Sequence, residues 1–145
     1  MENHQRLVVL PGVYDGLGAA IARHVGAKAV YASGGAIARS FGLPDLGLVS
    51  MTEMADRLAS IVRAFAGPVI ADGGTGYGDT QHVRRMVQMF EAAGIQGLHI
   101  EDQDFPKRCG HHDGKRLIPS DAMACKIAPA VAARQSSNFL VIGRT

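Results

Sequence analysis

The stretch VIADGGTGYGDT, residues 69–80, joins a short apolar run to a glycine-rich turn that opens a helix. The run is apolar throughout rather than alternating, which is typical of a strand in a parallel sheet covered on its faces. Asp72 falls at the end of the run. In parallel α/β folds, functional groups gather outside the C-terminal ends of the strands. The stretch therefore predicts a β/α unit with a carboxylate at the edge where a site can form.

The same alternation of short apolar runs and longer amphipathic segments recurs along the whole chain. The predicted strands are residues 7–10, 28–32, 68–71, 97–100 and 139–142, and the predicted helices are 16–25, 50–66, 79–93 and 120–134. Apolar side chains three and four apart support the second helix. A capping box at Ser50 opens that helix, and we expect Ser120 to cap the fourth. The pattern predicts a parallel β/α repeat.

Length and composition limit the classes of function. No linker divides the 145 residues, so we expect a single domain, residues 1–145, with no second domain. A net charge of +2 argues against a nucleic acid or an anionic membrane as the partner. No run approaches the roughly 18 apolar residues of a membrane span. Cys109 and Cys125 lack a CxxC spacing, so a reduced, cytoplasmic location is expected.

The glycine-rich turn after Asp72 is open to two interpretations. Its glycines do not match the spacing of a dinucleotide-binding fingerprint, and it lacks the lysine of a phosphate-binding loop. Asp72 could approach a hard cation such as Mg²⁺, which takes one or two carboxylates and completes its shell with water and substrate oxygens. Asp72 could equally bond only to the backbone of a tight turn. The residues of this motif alone leave both interpretations open.

Other strand ends also carry polar groups. His99 is either a core histidine with satisfied hydrogen bonds or part of a site, whereas Cys125 is expected to pack in the core. Cys109, in the loop after Glu101, could be a nucleophile, an acid or base, a metal ligand or a free thiol. Asp45 follows a proline, where aspartate is a common turn residue.

The end of the last run and the turn after the second run suggest anion binding. Arg144 ends the last run and is a natural bidentate partner for a substrate carboxylate. Ser33, Gly34 and Gly35 offer a hydroxyl and unobstructed backbone N–H groups, which suit an anion cradle.

Four segments in this order resemble the isocitrate lyase/phosphoenolpyruvate mutase superfamily, most nearly its 2-methylisocitrate lyase-like branch. They are YASGGAIARSFGLPDLGLVSMTEM (31–54), ADGGTGYG (71–78), HIEDQDFPKRCGH (99–111) and VIGRT (141–145). The likeness runs over residues 7–145, and the KRCGH loop is its most specific part.

The resemblance implies an α/β fold of the (β/α)₈ barrel type. Such a barrel takes ~250 residues, whereas this chain ends after about its fifth strand. We therefore expect the N-terminal half of a barrel, as a truncated product, a fragment or a half that needs a partner. The resemblance also implies a homo-oligomer.

The resemblance assigns a metal role to three carboxylates. Asp72 corresponds to the direct ligand of Mg²⁺, for which Mn²⁺ can substitute, while Glu101 and Asp45 correspond to the outer shell through water. The family usually carries a second acid two positions after the first aspartate, and here that position is Gly74. We expect the loss of this carboxylate to weaken Mg²⁺ binding without abolishing it.

The resemblance also assigns substrate-binding and catalytic groups. Those implied to bind the substrate or its keto acid product are Ser33, Gly34, Gly35, Arg144, Gly110 and His111. Tyr31 corresponds to a tyrosine near the reacting oxygen. Cys109 corresponds to the catalytic thiol of a mobile loop.

The implied reaction is a Mg²⁺-dependent retro-aldol cleavage of a carbon–carbon bond. A 2-hydroxy di- or tricarboxylic acid, such as 2-methylisocitrate, would give pyruvate or glyoxylate plus a carboxylic acid whose carbanion Cys109 protonates. The alternatives are oxaloacetate decarboxylase or another reaction of the superfamily, and a non-catalytic fragment. The expected partner is a small 2-hydroxy or 2-oxo carboxylic acid.

Overall fold

A computed structural model describes residues 7–110 and 113–145 of the chain. Five parallel strands form one sheet in the order of the sequence, as the β/α repeat predicts. The strands are β1 Gly12–Val13, β2 Val30–Ala32, β3 Val69–Asp72, β4 Gly97–Glu101 and β5 Leu140–Arg144. The helices are α1 Gly16–His24, α2 Gly34–Ser40, α3 Met51–Phe65, α4 Thr80–Ala92 and α5 Ser120–Ala132.

The two faces of the sheet carry different kinds of residue. One set of alternate strand positions is fully buried and belongs to the same core cluster as the apolar residues of α3 and α4. These strand positions are Val30, Ala32, Val69, Ala71, Leu98 and Ile100. The other set shares a register across the sheet, with Asp72 beside His99 and Glu101 beside Arg144. Since residues in register point to the same face, the sheet separates an apolar core from a polar face.

The local sequence explains where the main helices begin. Ser50 and Glu53 form the predicted capping box, in which each side chain bonds to the other residue's backbone N–H. Asp79 caps α4 by accepting hydrogen bonds from the N–H groups of Gln81 and His82. These caps fix the starts of α3 and α4. They therefore also fix the end of the loop that carries Asp45 and the end of the turn that follows Asp72.

The first part of the chain differs from the sequence predictions in one strand and one helix. Residues 7–10 are not a strand, and Leu7 is 88% exposed, because β2 begins only at Val30 and offers no partner upstream of Pro11. The helix α2 was not predicted, since its seven residues begin with Gly34 and Gly35, which have low helix propensity. Ser33 caps α2 through its side chain.

Two predictions about α5 are wrong. Pro119 occupies the N-cap position, so Ser120 lies inside the first turn and makes no capping hydrogen bond. Cys125 is exposed rather than in the core. The helix packs through Met123, Ile127 and Ala130, a stripe with helical spacing that does not include position 125. In the described parts of the chain, no helix is long and apolar enough to cross a membrane.

Candidate active site

The Asp72 carboxylate, at the C-terminal end of β3, is largely buried and hydrogen-bonded on both oxygens. Oδ2 accepts from the Gly34 N–H at 3.1 Å, and Oδ1 accepts from the Gly74 N–H at 2.8 Å. His99 Nε2 lies 3.2 Å from Oδ1. The acid therefore bridges the start of α2, the glycine-rich turn and β4, so it is held in one orientation.

These contacts also set the charge of Asp72. Burial alone would raise the pKa of the carboxyl, because it disfavours the anion. The hydrogen bond and charge of His99, the Gly74 N–H and the charge of Lys107 outweigh burial and lower the pKa to about 2. Asp72 is thus a buried anion at neutral pH.

The pair Gly34–Gly35 makes room for two carboxylates at the start of α2. A Cβ at Gly34 would lie 2.7 Å from Asp72 Oδ2, and a Cβ at Gly35 would lie 2.7 Å from Asp45 Oδ2. The backbone can approach both acids closely only because neither residue has a side chain. The Ser33 hydroxyl accepts a hydrogen bond from the Ala36 N–H at 3.4 Å. The segment 33–35 therefore faces anionic groups, although its role towards a product carboxylate stays a prediction.

Lys107 joins the loop after β4 to the other two carboxylates. Its Nζ lies 2.7 Å from Asp45 Oδ1 and 3.6 Å from Glu101 Oε1, and its side chain is only 11% exposed. Burial lowers the pKa of Lys107, but the hydrogen bond and charge of Asp45, with the charges of Asp72 and Glu101, produce a net rise. Asp45 is therefore more than a turn residue, because its buried carboxylate forms an ion pair.

The loop after β4 also reaches Arg144 at the end of β5. Arg144 Nη1 lies 3.9 Å from Glu101 Oε2, and a Cβ at Gly110 would lie 2.7 Å from Arg144 Nη2. Glu101, Gly110 and Arg144 line a cavity of about 220 Å³. The structure thus brings two of the predicted substrate-binding residues together. His111, the predicted substrate-binding residue next to Gly110, lies outside the described residues.

Tyr31 and His99 form a stacked pair next to Asp72. The Tyr31 hydroxyl lies 2.8 Å from His99 Nδ1, and the ring centroids are 5.5 Å apart. Burial raises the pKa of Tyr31, and the negative charge of Asp72 raises it further. His99 is buried with satisfied hydrogen bonds, which confirms the interpretation as a core histidine. It also links Tyr31 to Asp72, but its part in a site stays a prediction.

Gln103 is a buried site residue that sequence reasoning missed. Its Nε2 donates to Glu101 Oε2 at 3.1 Å and to the Arg108 carbonyl at 3.0 Å, while its Oε1 accepts from the Arg108 N–H at 2.9 Å. The side chain therefore ties the loop before Cys109 to the end of β4. The polar run EDQ after an apolar strand was the available signal.

A larger cavity of about 490 Å³ opens on the other side of the carboxylates. Gly34, Asp45 and Asp72 line it together with Lys107 and Lys126. Apolar and aromatic side chains line another part of its wall: Ala38, Leu48, Val49, Met54, Tyr77, Phe105 and Ile118. Glycines and the polar residues Thr75, Gln103 and Asp104 complete it. Cys109 is partly exposed and lines neither of the two cavities. The predicted site residues are therefore divided between two adjoining cavities.

The carboxylates suit a magnesium site with few protein ligands. Within residues 7–110 and 113–145, no three His, Cys, Asp or Glu side chains are grouped closely enough to enclose a metal ion. Mg²⁺ does not require such a cage, since it is usually held by one or two carboxylates and keeps several waters. Asp72 is a fixed anion that borders the larger cavity, and nothing lies within 4 Å of the Cβ position at Gly74. These features fit a Mg²⁺ site in which Asp72 is the one direct carboxylate ligand.

A family model described as phosphoenolpyruvate phosphomutase matches residues 1–145, the whole chain. The chain belongs to this family. The isocitrate lyase of Haloferax volcanii is 44% identical over 146 residues, which cover 100% of this chain and 42% of that protein. A probable 2-methylisocitrate lyase from Corynebacterium glutamicum is 43% identical and covers 94% of this chain and 45% of its own length. The chain spans about half the length of the curated relatives it matches.

Solved structures of the family agree with the fold described above. Oxaloacetate acetylhydrolase in complex with 3,3-difluorooxalacetate has a TM-score of 0.92 and 41% identity, over 99% of this chain and 50% of that one. Phosphonopyruvate hydrolase in complex with oxalate and Mg²⁺ has a TM-score of 0.87 and 32% identity, over 96% of this chain and 47% of that one. The family and the barrel type predicted from the four motifs are confirmed, whereas the role of each site residue stays a prediction.

Gly34→Ala is expected to destabilise the site and the fold. The new Cβ overlaps a carboxylate that is itself buried, so the free energy of unfolding should fall by about 1–3 kcal/mol. Chemical denaturation measures this change. Gly12→Ala is the matched control, because nothing lies within 4 Å of its Cβ position, and it should change stability by no more than about 0.5 kcal/mol. Equal effects of the two substitutions would contradict the close packing of Asp72 on α2.

The lowered pKa of Asp72 predicts a loss of stability in acid. The carboxyl has a lower pKa in the folded protein than its ordinary 3.8, so its contribution is present above pH ~4 and is lost as the pH falls towards 2. The loss should be about 2 kcal/mol. Denaturation curves between pH 6 and pH 2 should show this loss in the native chain and not in Asp72→Asn. An identical pH dependence in the two proteins would contradict it.

Proposed function

We propose that this chain carries the metal site and keto acid site of a Mg²⁺-dependent carbon–carbon lyase. The substrate class is a 2-hydroxy di- or tricarboxylic acid, which retro-aldol cleavage converts to pyruvate or glyoxylate and a second carboxylic acid. The observation that carries the proposal is Asp72, a buried anion held by Gly34, Gly74 and His99 at the mouth of a cavity. Membership of a family whose relatives include lyases supports it.

Asp72 would be the direct ligand of the metal, and Glu101 and Asp45 would hold its waters. Lys107 pairs with Asp45 and Glu101, and Arg144 lies 3.9 Å from Glu101, whereas the Asp72 carboxylate contacts His99. Asp72 would therefore present its negative charge to a divalent cation. When bound, Mg²⁺ would act as a Lewis acid towards the oxygens of the hydroxy acid and the keto acid. Gly74 contributes no carboxylate, so binding depends on Asp72 more strongly than in relatives with a second acid.

Arg144 would bind the carboxylate of the keto acid product. Its guanidinium is about half exposed and lines the smaller cavity beside Glu101, so it can form a bidentate contact with an anion. Gly110 leaves room for that contact, because a side chain there would overlap Nη2. The Ser33 N–H donates to the Val13 carbonyl and the Gly34 N–H donates to Asp72, so from segment 33–35 we place the Ser33 hydroxyl and the Gly35 N–H on the same anion.

Proton transfer would involve Cys109 and Tyr31. Cys109 lies in the loop anchored by Lys107 and Gln103, next to Gly110, and would deliver a proton to the carbanion of the departing acid. Tyr31 points to His99 and Asp72 and is a candidate for contact with the hydroxyl of the substrate. Its raised pKa means that it would enter the reaction as a neutral phenol.

A second candidate reaction acts on oxaloacetate. The match to oxaloacetate acetylhydrolase, at 41% identity, favours a 2-oxo acid substrate as the alternative. The third candidate function is a non-catalytic role for the chain. The two tests below separate these functions.

Metal-dependent binding of pyruvate tests the site itself. Titration calorimetry should detect pyruvate binding with Mg²⁺ present and none after chelation, because the proposed keto acid site would need the cation held by Asp72. Asp72→Asn should weaken this binding at least tenfold, since it removes the anionic ligand. Asp79→Asn is the matched control, because Asp79 caps α4 outside both cavities. Pyruvate binding that does not depend on Mg²⁺, or no pyruvate binding at all, would contradict the proposal.

Cys109→Ser tests the lyase reaction. With 2-methylisocitrate as substrate, the variant should lose most turnover, about 100-fold or more, because the carbanion lacks its proton donor. Release of pyruvate measures turnover. Cys125→Ser is the control, because this thiol is exposed on α5 and lies outside both cavities. Full turnover of Cys109→Ser would contradict the role of the thiol, and activity on oxaloacetate alone would favour the second candidate.

A further inference from the structure

Lys126 reaches from α5 to the turn between β3 and α4, residues 73–79, which we call the glycine turn. Its Nζ donates a hydrogen bond of 2.9 Å to the carbonyl oxygen of Thr75, which is 51 residues away in sequence. Lys126 also lines the larger cavity, together with Asp72. Neither the predicted site nor the proposed mechanism uses this residue.

The glycine turn has a strained backbone. Gly74, Gly76 and Gly78 have φ values of +53°, +93° and +147°, and Tyr77, which is not glycine, has a φ of +64°. A non-glycine residue is disfavoured in the left-handed region, so this conformation of Tyr77 persists only where surrounding contacts hold it. The turn therefore needs external anchors.

The other anchors of the turn come from the sheet and from α4. The Gly73 N–H donates to the His99 carbonyl and the Glu101 N–H donates to the Gly74 carbonyl, both at 2.9 Å. The Tyr77 ring meets the edge of the buried Phe90 ring at 6.0 Å. Thr75 lies between these contacts, and its carbonyl receives its hydrogen bond from Lys126.

No ion pair competes for the Lys126 ammonium group within the described residues, because no carboxylate oxygen there lies within 4.0 Å of it. The ammonium group instead donates its hydrogen bond to the Thr75 carbonyl. Thr75 is only 8% exposed. A buried carbonyl without a partner is costly, and hydrogen bonds to a charged group are stronger than those between neutral groups. The ammonium is therefore a strong anchor at this point.

We propose that Lys126 is a positioning residue for Asp72. By fixing the Thr75–Gly76 peptide, whose N–H donates to the Gly73 carbonyl at 3.0 Å, it holds the Gly73–Gly74 peptide so that the Gly74 N–H points at Asp72 Oδ1, at 2.8 Å. The orientation of the carboxylate, and with it the metal affinity, then depends on a side chain that acts through the backbone of the glycine turn. The metal part of this inference rests on the proposed function; the effect on the turn does not.

The test compares Lys126→Met, which keeps the length of the side chain but has no donor, with Lys126→Arg, which keeps a donor. Lys28→Met is the control, because Lys28 is exposed before β2. Amide hydrogen exchange of Gly74 and Gly76 should be about tenfold faster in Lys126→Met, since the turn loses one anchor. Exchange in α4 should stay unchanged, Lys126→Arg should restore most of the protection, and Lys28→Met should match the native chain.

Mg²⁺ titration of the same four proteins is the second readout. Lys126→Met should bind Mg²⁺ about tenfold more weakly, and Lys126→Arg should recover most of that loss. Unchanged exchange at Gly74 and Gly76, or an equal increase in α4, would overturn the inference, because the effect would then be absent or global. Local loss of protection with no Mg²⁺ binding in any of the four proteins would support the positioning of Asp72 and overturn the proposed function.

Discussion

The site depends on the burial of the Asp72 carboxylate against the first peptide of α2. Gly34 and Gly74 donate backbone N–H groups to its two oxygens, and His99 lies against one of them. A buried carboxylate is costly unless it is hydrogen-bonded, and here those contacts lower the pKa to about 2 despite burial. The glycines at positions 34 and 74, the end of β3 and the start of α2 are all placed by this constraint.

The sheet then divides structural residues from functional ones. Alternate positions of β2, β3 and β4 pack with α3 and α4 in the core, while the opposite face of the sheet carries Asp72 with Tyr31, His99 and the pair Glu101–Arg144. Lys107 and Gln103 then tie the loop that carries Cys109 to this polar face. The carboxylates and cations described here thus come from the ends of β3, β4 and β5 and from the loops before α3 and after β4.

The sequence was informative wherever local patterns decide the structure. Apolar periodicity located α3 and α4, the capping box at Ser50 was correct, and the four motifs identified the family. Contacts between distant residues could not be predicted: the ion pair of Lys107 with Asp45 spans 62 residues, and the bond from Lys126 to Thr75 spans 51. The exposure of Cys125 depends on which stripe of α5 faces the core, and the short strand β1 depends on where β2 begins.

A crystal structure of the chain with Mg²⁺ and pyruvate would show whether Asp72 holds the metal. We expect a single Mg²⁺ with an Asp72 carboxylate oxygen at about 2.1 Å, and waters between the metal and both Glu101 and Asp45. Gly34 and Gly74 should keep their hydrogen bonds to Asp72. A metal bound by Glu101 and Asp45 with Lys107 displaced, and with no bond to Asp72, would contradict it.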